Sequence, residues 1–378
     1  MQSGFDYQIA IIGGGPAGAT LGRLLPKGLS AILIDKKRAK GGFEKPCGGL
    51  LAPDAQKALS KYEITLPKSI LVDPQIFSVK TIDLASGLVR HYQRCYINLD
   101  RHKLDMWLLS MIRPSVRRVT GVCDGVKRID GGFEVSWHDG DHKHSFTCKY
   151  VVGADGANSV VRSSLFKAKQ LRRYTAIQQW FPEENSRPFY SCIFDPETTD
   201  CCSWSISKDD YFIFGGAFPQ DNCRERFERQ KEKLRALGIK FSEPVKTEAC
   251  VVLRPRSFFD FCPGKGGAFL IGEAAGFISP SSLEGISYAM ESADMLSRAL
   301  LKKDPSSAYR RMTLKIRLKL ALKVMKCPFM YHPLLRKLVM LCGLQSIELR
   351  QEIKSLFPHL FGGIFVLRAT DTPLPRSL

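Results

Sequence analysis

The sequence predicts an α/β protein, and three observations carry that prediction. An apolar run that ends at glycines leads into a helical pattern and a second apolar run. Two further apolar strands, far downstream, end in the same kind of glycine turn. Between them lies a stretch whose apolar and polar residues alternate with the period of an antiparallel sheet. This order predicts a discontinuous nucleotide-binding domain over residues 1–75, 96–170 and 262–304. Residues 76–95 and 171–261 then form an inserted β-sheet domain for a substrate, and 305–378 a basic helical C-terminal region. With 378 residues, 44% of them hydrophobic, the chain can bury such a core.

Taken in order, the first element is the strand Ile9 to Ile12, which stops at Gly13. Gly13, Gly15 and Gly18 have the spacing G-x-G-x-x-G, and Ala17, Leu21, Leu24 and Leu25 mark the helix that follows. Ala31 to Ile34 is the next strand, ending in Asp35. A βαβ unit with an acid about 20 residues beyond its first glycine is the arrangement that binds an adenine dinucleotide. Gly13 permits the tight turn, Gly15 lets a pyrophosphate reach the backbone, and Gly18 lets helix and strand touch. The helix N-terminus supplies free N–H groups to the phosphates, and Asp35 accepts from a ribose diol.

Beyond Lys36 the chain is basic and then glycine-rich, through Lys45-Pro-Cys-Gly-Gly-Leu-Leu51. Cys47 and Gly48, set between a proline and a further glycine, mark a place where backbone approaches something closely. Asn98 to Leu109 reads as a helix capped by Asp100 or Asn98. Arg101 falls in its first turn, where a cation either has an anionic partner or is simply solvated. Residues 116–152 read as a β-meander of Val116–Val126, Phe133–Trp137 and Phe146–Val152, turning at Asp139-Gly140. His138, His142 and His144 flank that turn. No cysteine or acid cluster completes a ligand set, so a solvated hairpin tip is the preferred reading and no metal is expected.

Tyr150 to Gly153 is the second strand to end in a glycine turn, with Asp155 and Gly156 just beyond. Gln178 to Phe218 carries the alternating pattern, and 221–240 reads as a charged helix. Ala268 to Gly276 is the third junction, followed by Glu284, Gly285 and Ile286 at the start of a long helix. Three strand ends meeting glycine turns point to one extended ligand lying across them.

Fifty-six basic residues stand against 37 acidic ones, a formal net charge of +19, which favours an anionic partner. No helix-turn-helix, zinc or RNA-binding motif accompanies it, so no nucleic acid is expected. From Pro305 to Ile347 there is no acid at all. Lys315, Lys319, Lys323 and Lys326 fall within roughly 80° on a helix of 3.6 residues per turn. Leu314, Leu318, Ala321, Leu322 and Met325 adjoin them. The segment is either a helix lying on anionic lipid or a packed helix with a solvated basic face. Twelve cysteines without a C-x-x-C pair, two of them adjacent, indicate a reducing compartment. Without a signal-peptide core or an apolar run of ~18 residues, the expected location is cytoplasmic, against the inner face of the membrane if the basic helix is interfacial.

Gly13–Gly18, Asp155-Gly156 and Gly272-Glu273 together resemble the three cofactor motifs of the para-hydroxybenzoate-hydroxylase-type flavoproteins, over about residues 5–300. Lys45-Pro-Cys-Gly-Gly-Leu, Asp100-Arg-His-Lys-Leu-Asp-Met-Trp and Cys202-Ser-Trp-Ser-Ile-Ser are similar to the geranylgeranyl reductase branch, and most of all to the bacterial CbrA-type group. The resemblance implies a Rossmann-like FAD-binding domain and FAD contacts at Gly13, Gly15, Ala17, Gly18, Asp35, Lys36, Cys47, Gly48, Arg101, Asp155, Gly272, Glu273, Gly285 and Ile286. It further implies reduction of double bonds in an isoprenoid or similarly apolar lipid. Cys47 is then a proton donor or a wall of the pocket, and Trp180, Tyr190, Trp204 and Phe214 line a chamber or belong to the core. The electron donor is left open between NAD(P)H and a protein carrier. A monooxygenase acting on an aromatic or lipid substrate is the alternative enzyme, and a flavin-bearing lipid-binding or regulatory protein the alternative of another class. A halogenase fits less well, because the Trp204 strand lacks a second tryptophan and a proline. Three positions depart from the family pattern: Glu273 for aspartate, Leu283 for glycine and Ser207 for proline.

Overall fold

The computed structural model describes residues 4–36, 44–166, 171–185 and 189–348. The chain begins with β1 (Tyr7–Ile12), α1 (Pro16–Leu24) and β2 (Ala31–Asp35), then β3 (Leu50–Leu51) and α2 (Pro53–Lys61). β1 and β2 are parallel. Ile9 and Ile11 enter the core on one face of β1 while Ala10 and Ile12 enter a second core on the other. A strand buried on both faces explains the unbroken apolar run in the sequence. β4 (Ile76–Asp83) and β5 (Leu88–Asn98) form a hairpin, and α3 (Arg101–Ser110) follows. Asp100 caps α3, its carboxylate accepting from the Lys103 N–H at 2.9 Å.

The meander divides differently from its reading in the sequence. β6 (Val116–Thr120) leaves it to pair in parallel with β2, and β7 (Val122–Ile129), β8 (Gly132–Asp139) and β9 (His142–Gly153) make the meander proper. Gly121 is the break: a Cβ there would lie 2.5 Å from the Trp137 ring and 2.7 Å from the His138 carbonyl. β9 returns to pair in parallel with β1. α4 (Val160–Leu165) then leads out of the first sheet.

The second sheet is built from β10 (Arg173–Pro182), β11 (Phe189–Phe194), β12 (Ser203–Lys208) and β13 (Tyr211–Pro219). After α5 (Cys223–Ala236), β14 (Lys246–Leu253) completes its far edge. Its order is β14-β10-β13-β12-β11-β4-β5. The sheet is antiparallel except where β11 runs parallel to β4, and that pair joins its two stretches of sequence. α5 covers one face, packing Phe227 against Phe214 and Phe218. The other face turns toward the glycine turns of the first sheet.

The chain re-enters the first sheet through β15 (Gly264–Lys265) and β16 (Ala268–Leu270), which pairs in parallel with β9. α6 (Ile286–Ala299) packs against α1, and α7 (Pro305–Met312) follows. The basic segment forms α8 (Leu314–Tyr331) and α9 (Pro333–Leu341), a helical hairpin, before β17 (Ser346–Ile347) adds to β5. Among the described residues no helix is long and apolar enough to cross a membrane.

Candidate functional site

The three glycine junctions meet at one place. A Cβ on Gly13, whose φ is +102°, would lie 2.5 Å from the Ala154 carbonyl, so the first turn sits directly on the second. A Cβ on Gly18 would overlap the Gly13 carbonyl, which is the close helix–strand contact the spacing predicts. Gly272, at φ +57°, fits between Ala17 and Ala289, whose Cβ atoms would be 3.1 and 3.3 Å from its own. Gly15 is different. Its φ is −71°, and a Cβ there would meet nothing within 4 Å. Among the described residues nothing crowds this position, which leaves room for a phosphate at the α1 N-terminus.

Asp35 ends β2 beside a cleft of about 270 Å³ lined also by Leu33, Leu109, Arg118, Val119 and Thr120. A Cβ on Gly14 would lie 2.8 Å from the Asp35 carboxylate, so acid and glycine loop are in contact. A wider cleft of about 600 Å³ continues past Val119 and Thr120 to Trp137, Asp139 and His144. Lys36 follows Asp35 directly. The three histidines of the hairpin divide between two acids: His138 pairs with Asp124 at 2.7 Å, while His144 at 3.0 Å and His142 at 4.0 Å both face Asp139. Among the described residues no cluster could hold a metal.

Asp155 accepts from the Val160 N–H at 2.7 Å through one carboxylate oxygen, while the other is buried without a hydrogen-bond partner among the described residues. Burial pushes its pKa up to about 6, against the pull of those hydrogen bonds. Beyond it, a Cβ on Gly156 would lie 3.7 Å from Glu273 and 3.8 Å from Lys45. Lys45 pairs with Glu273 at 2.6 Å, and the second Glu273 oxygen accepts from the Leu253 N–H at 3.0 Å. Burial works against the Lys45 charge, but the Glu273 carboxylate outweighs it and the ammonium is held above its ordinary range. The longer acid thus spends both oxygens on the protein, a consequence of replacing aspartate that the sequence did not disclose.

Cys47 lies one step further along the same loop. Its Sγ accepts from the Gly49 N–H at 3.4 Å, and the preceding Pro46 carbonyl accepts from Cys250 at 3.7 Å. A Cβ on Gly48 would meet Ile206 at 3.0 Å and the Trp204 indole at 3.7 Å, so the loop is seated on the open face of the second sheet. Arg101 pairs with Asp105 at 3.0 Å, which answers the question of its anion from within α3. Burial opposes the Arg101 charge, yet Asp105 and then Cys47 favour it, so its pKa stands above the usual value.

The aromatic residues divide between the two faces of the second sheet. Trp204 stands opposite Gly215 and beside Cys192, with its buried Nε1 unpartnered among the described residues. Tyr190 lies two residues from Cys192 on β11, 5.6 Å from the Tyr96 ring, and burial holds its phenol protonated. Trp180 shares that face, but its N–H is committed to Glu248 at 2.8 Å. Phe214 does not belong with them. It pairs with Gln179 on the opposite face and is fully buried under α5. Gly285 caps α6 without a side-chain hydrogen bond of its own, but the Glu284 carboxylate accepts from the Ser287 N–H at 3.0 Å in the first turn. Leu283, which stands where the resembled family has glycine, adopts φ +54°, the left-handed conformation that a glycine would take without strain.

With this geometry in place, the comparisons with known proteins give the class. Residues 124–304 match the FAD binding domain family. A geranylgeranyl bacteriochlorophyll reductase-like protein of Thermoplasma acidophilum superposes with a TM-score of 0.73 at 18% identity, covering 85% of each chain. PqsL of Pseudomonas aeruginosa, a probable FAD-dependent monooxygenase, gives a TM-score of 0.67 at 17% identity over 89% of this chain and 99% of its own. The protein has the fold of the FAD-dependent oxidoreductases and monooxygenases, and its cofactor is FAD. More narrowly, it is 50% identical to protein CbrA of Escherichia coli over 93% of this chain and 97% of that one. It is 51% identical to CbrA of Shigella sonnei over 90% and 98%. The chain belongs to the CbrA family.

The open space at Gly15 and the buried oxygen of Asp155, unpartnered among the described residues, leave room and a polar group for a bound FAD. Sequence reasoning missed Lys208, the last residue of β12, whose buried ammonium reaches the Cys47 loop.

Proposed function

We propose that this protein reduces carbon–carbon double bonds in an isoprenoid or polyprenyl lipid, working at a membrane surface. The observation that carries this reading is the open face of the second sheet. Tyr190, Cys192, Trp204 and Ile206 face the Cys47 loop there, and the end of α8 closes the same region through Met330 and Tyr331. That face is apolar, with few groups able to bind a polar substrate. The likeness to the Thermoplasma acidophilum geranylgeranyl bacteriochlorophyll reductase-like structure supports the same class of chemistry.

FAD, when bound and reduced, supplies the hydride. The remaining work falls to the chain. α1 and the Gly13–Gly15 turn hold the phosphates, and Asp35 the adenosine ribose. Tyr190 and Trp204 hold the alkene and exclude water. Cys47 delivers the proton that the second alkene carbon requires, so the product gains two hydrogens. NAD(P)H or a protein carrier provides the electrons.

The membrane reading draws on the exposed side of α8 and α9. Leu314, Leu318, Leu322, Met325 and Phe329 are all exposed on α8, within an arc of about 80°. Leu334, Leu338 and Leu341 are exposed on α9. Of the four lysines, Lys315 and Lys326 are exposed beside that arc. Lys319 pairs with Asp54 at 2.8 Å and Lys323 sits over the Tyr288 ring, so these two belong to the packed side. The direct test is to incubate chemically reduced protein with a lipid extract and weigh the polyprenyl fraction. A gain of two hydrogens on one species is expected. A gain of oxygen would place the protein with the monooxygenases, the reading that the likeness to PqsL favours, and no change in any lipid would remove the reductase reading.

A further inference from the structure

Lys208 is 4% exposed, and its ammonium donates to three oxygens: Asn98 Oδ1 at 2.6 Å, the Leu99 carbonyl at 2.7 Å and the Gly49 carbonyl at 3.5 Å. None of the three carries a charge. Asn98 cannot turn away, because its amide N–H groups donate to the Pro74 carbonyl at 2.9 Å and the Ser207 carbonyl at 3.0 Å. The carboxylates nearest the ammonium are spent elsewhere: Asp100 on the Lys103 N–H and Asp209 on the Asp73 N–H. A buried ammonium without an acid partner is costly, and proteins keep one where its charge or its proton is used.

What it faces is the Gly49 peptide. The Gly49 carbonyl accepts from Lys208 and from the Leu99 N–H at 3.0 Å, and the Gly49 N–H donates to Cys47 Sγ at 3.4 Å. Gly49 has φ +65°, and a Cβ there would lie 2.7 Å from Lys208 Nζ, so the ammonium leaves room for glycine alone. Gly49 therefore stands between the ammonium and the sulfur, its carbonyl toward one and its N–H toward the other, in two adjacent peptides. The lysine acts by fixing the turn that holds the Gly49 N–H on the sulfur, and by its charge, which favours the thiolate.

We propose that Lys208 is a positioning residue for Cys47, holding the Cys47–Gly49 turn against the end of β12 and raising the reactivity of the sulfur by its charge. The proposal deepens the reading of Cys47 as the group that works beside the flavin and rests on it. Burial pushes the Lys208 pKa down to about 8, with Cys47, Asp100 and Asp209 pulling it back up. The groups facing the sulfur are Arg101 from α3, Lys208 from β12 and Cys250 from β14. Arg101 keeps its charge throughout and Cys250 is pushed up to about 11, so Lys208 is the one of the three that titrates near neutrality. Below pH 8 the ammonium assists the sulfur, and as pH rises through 8 that assistance is lost.

The test is alkylation of FAD-loaded protein with iodoacetamide, the rate at Cys47 being followed by peptide mass spectrometry between pH 6 and 9.5. Lys208→Met should slow Cys47 about tenfold at pH 7, and Lys208→Arg, which keeps a charge, should stay within about threefold of the parent. The ratio of the parent rate to the Lys208→Arg rate should fall as pH passes 8. Equal Cys47 rates in parent and Lys208→Met, with flavin retained, would overturn the proposal. If Lys208→Met does not fold, a parent-to-arginine ratio flat across pH 8 would do the same. Flavin absorbance is read on every sample, so failure to hold FAD tells against the flavoprotein reading and is distinct from failure of the lysine effect.

Discussion

At the scale of single residues, the glycines of the first turn separate what the fold needs from what the ligand needs. Gly15→Val places a side chain in open space, so stability should change by no more than about 1 kcal/mol while bound flavin is lost. Gly18→Val drives a side chain into the Gly13 carbonyl and should cost roughly 1–3 kcal/mol or more before any ligand is considered. Urea midpoints and the flavin absorbance of the two purified variants check this; a fully yellow Gly15→Val protein would contradict the phosphate role. Asp155 gives a pH prediction. Its folded pKa of about 6 exceeds the ordinary carboxylate value, so the ionised form weakens the fold at neutral pH, and that penalty fades as pH falls through 6 toward 4. Asp155→Asn should therefore be more stable than the parent at pH 7, with the difference closing by about pH 4. A constant difference in denaturation midpoint across that range would count against it. The glycine turns were legible because close backbone approach excludes every other residue type. Lys208 was not, because its three partners come from residues 49, 98 and 99, far from it in the chain.

At the scale of elements, the C-terminal hairpin shows how far a periodic pattern reaches. The 3.6-residue period placed an apolar face and a lysine face on α8, and both exist. Which face met solvent depended on Asp54 and Tyr288, which the period of α8 cannot reveal. The apolar residues are the more exposed, Met325 at 69% and Leu322 at 60%. Likewise 116–126 reads as one strand in the sequence, and the tight fit of Gly121 against Trp137 divides it. The hairpin is fastened to the second sheet by Arg336, which donates to Asp83 at 2.7 Å with both side chains buried. Arg336 also donates to the Met330 and Tyr331 carbonyls, tying α9 to the end of α8. Removing one partner leaves a buried charge, so Arg336→Met should cost roughly 3–5 kcal/mol, and adding Asp83→Asn should recover most of it. Urea unfolding of the single and double variants decides the point, and additive losses would mean that the two side chains act independently.

At the scale of the whole molecule, the two sheets, the glycine turns and the hairpin make a single arrangement. The hairpin holds both parts of the chain, through Lys319 to α2 and Arg336 to β4, and Tyr331 at its bend donates to the Ser281 carbonyl at 2.7 Å and meets the Phe194 ring edge-on. Its exposed leucines therefore stand on the same element that packs against the inner face of the second sheet. Charge and apolar area make different demands on a vesicle. Lys315→Glu with Lys326→Glu should weaken binding to anionic vesicles by about tenfold or more, each basic residue near such a surface contributing on the order of 1 kcal/mol. Raising the salt should shrink that difference, because these lysines are exposed. Leu318→Ser with Leu322→Ser and Met325→Ser should instead lower binding to anionic and neutral vesicles alike, with salt making little difference. Lys319→Glu belongs to neither set: it faces Asp54, so its effect should appear as lost stability. Sedimentation with vesicles of both compositions separates these outcomes. Unchanged binding in the triple-serine variant would detach the hairpin from the membrane and leave its exposed leucines without a role in delivering the substrate.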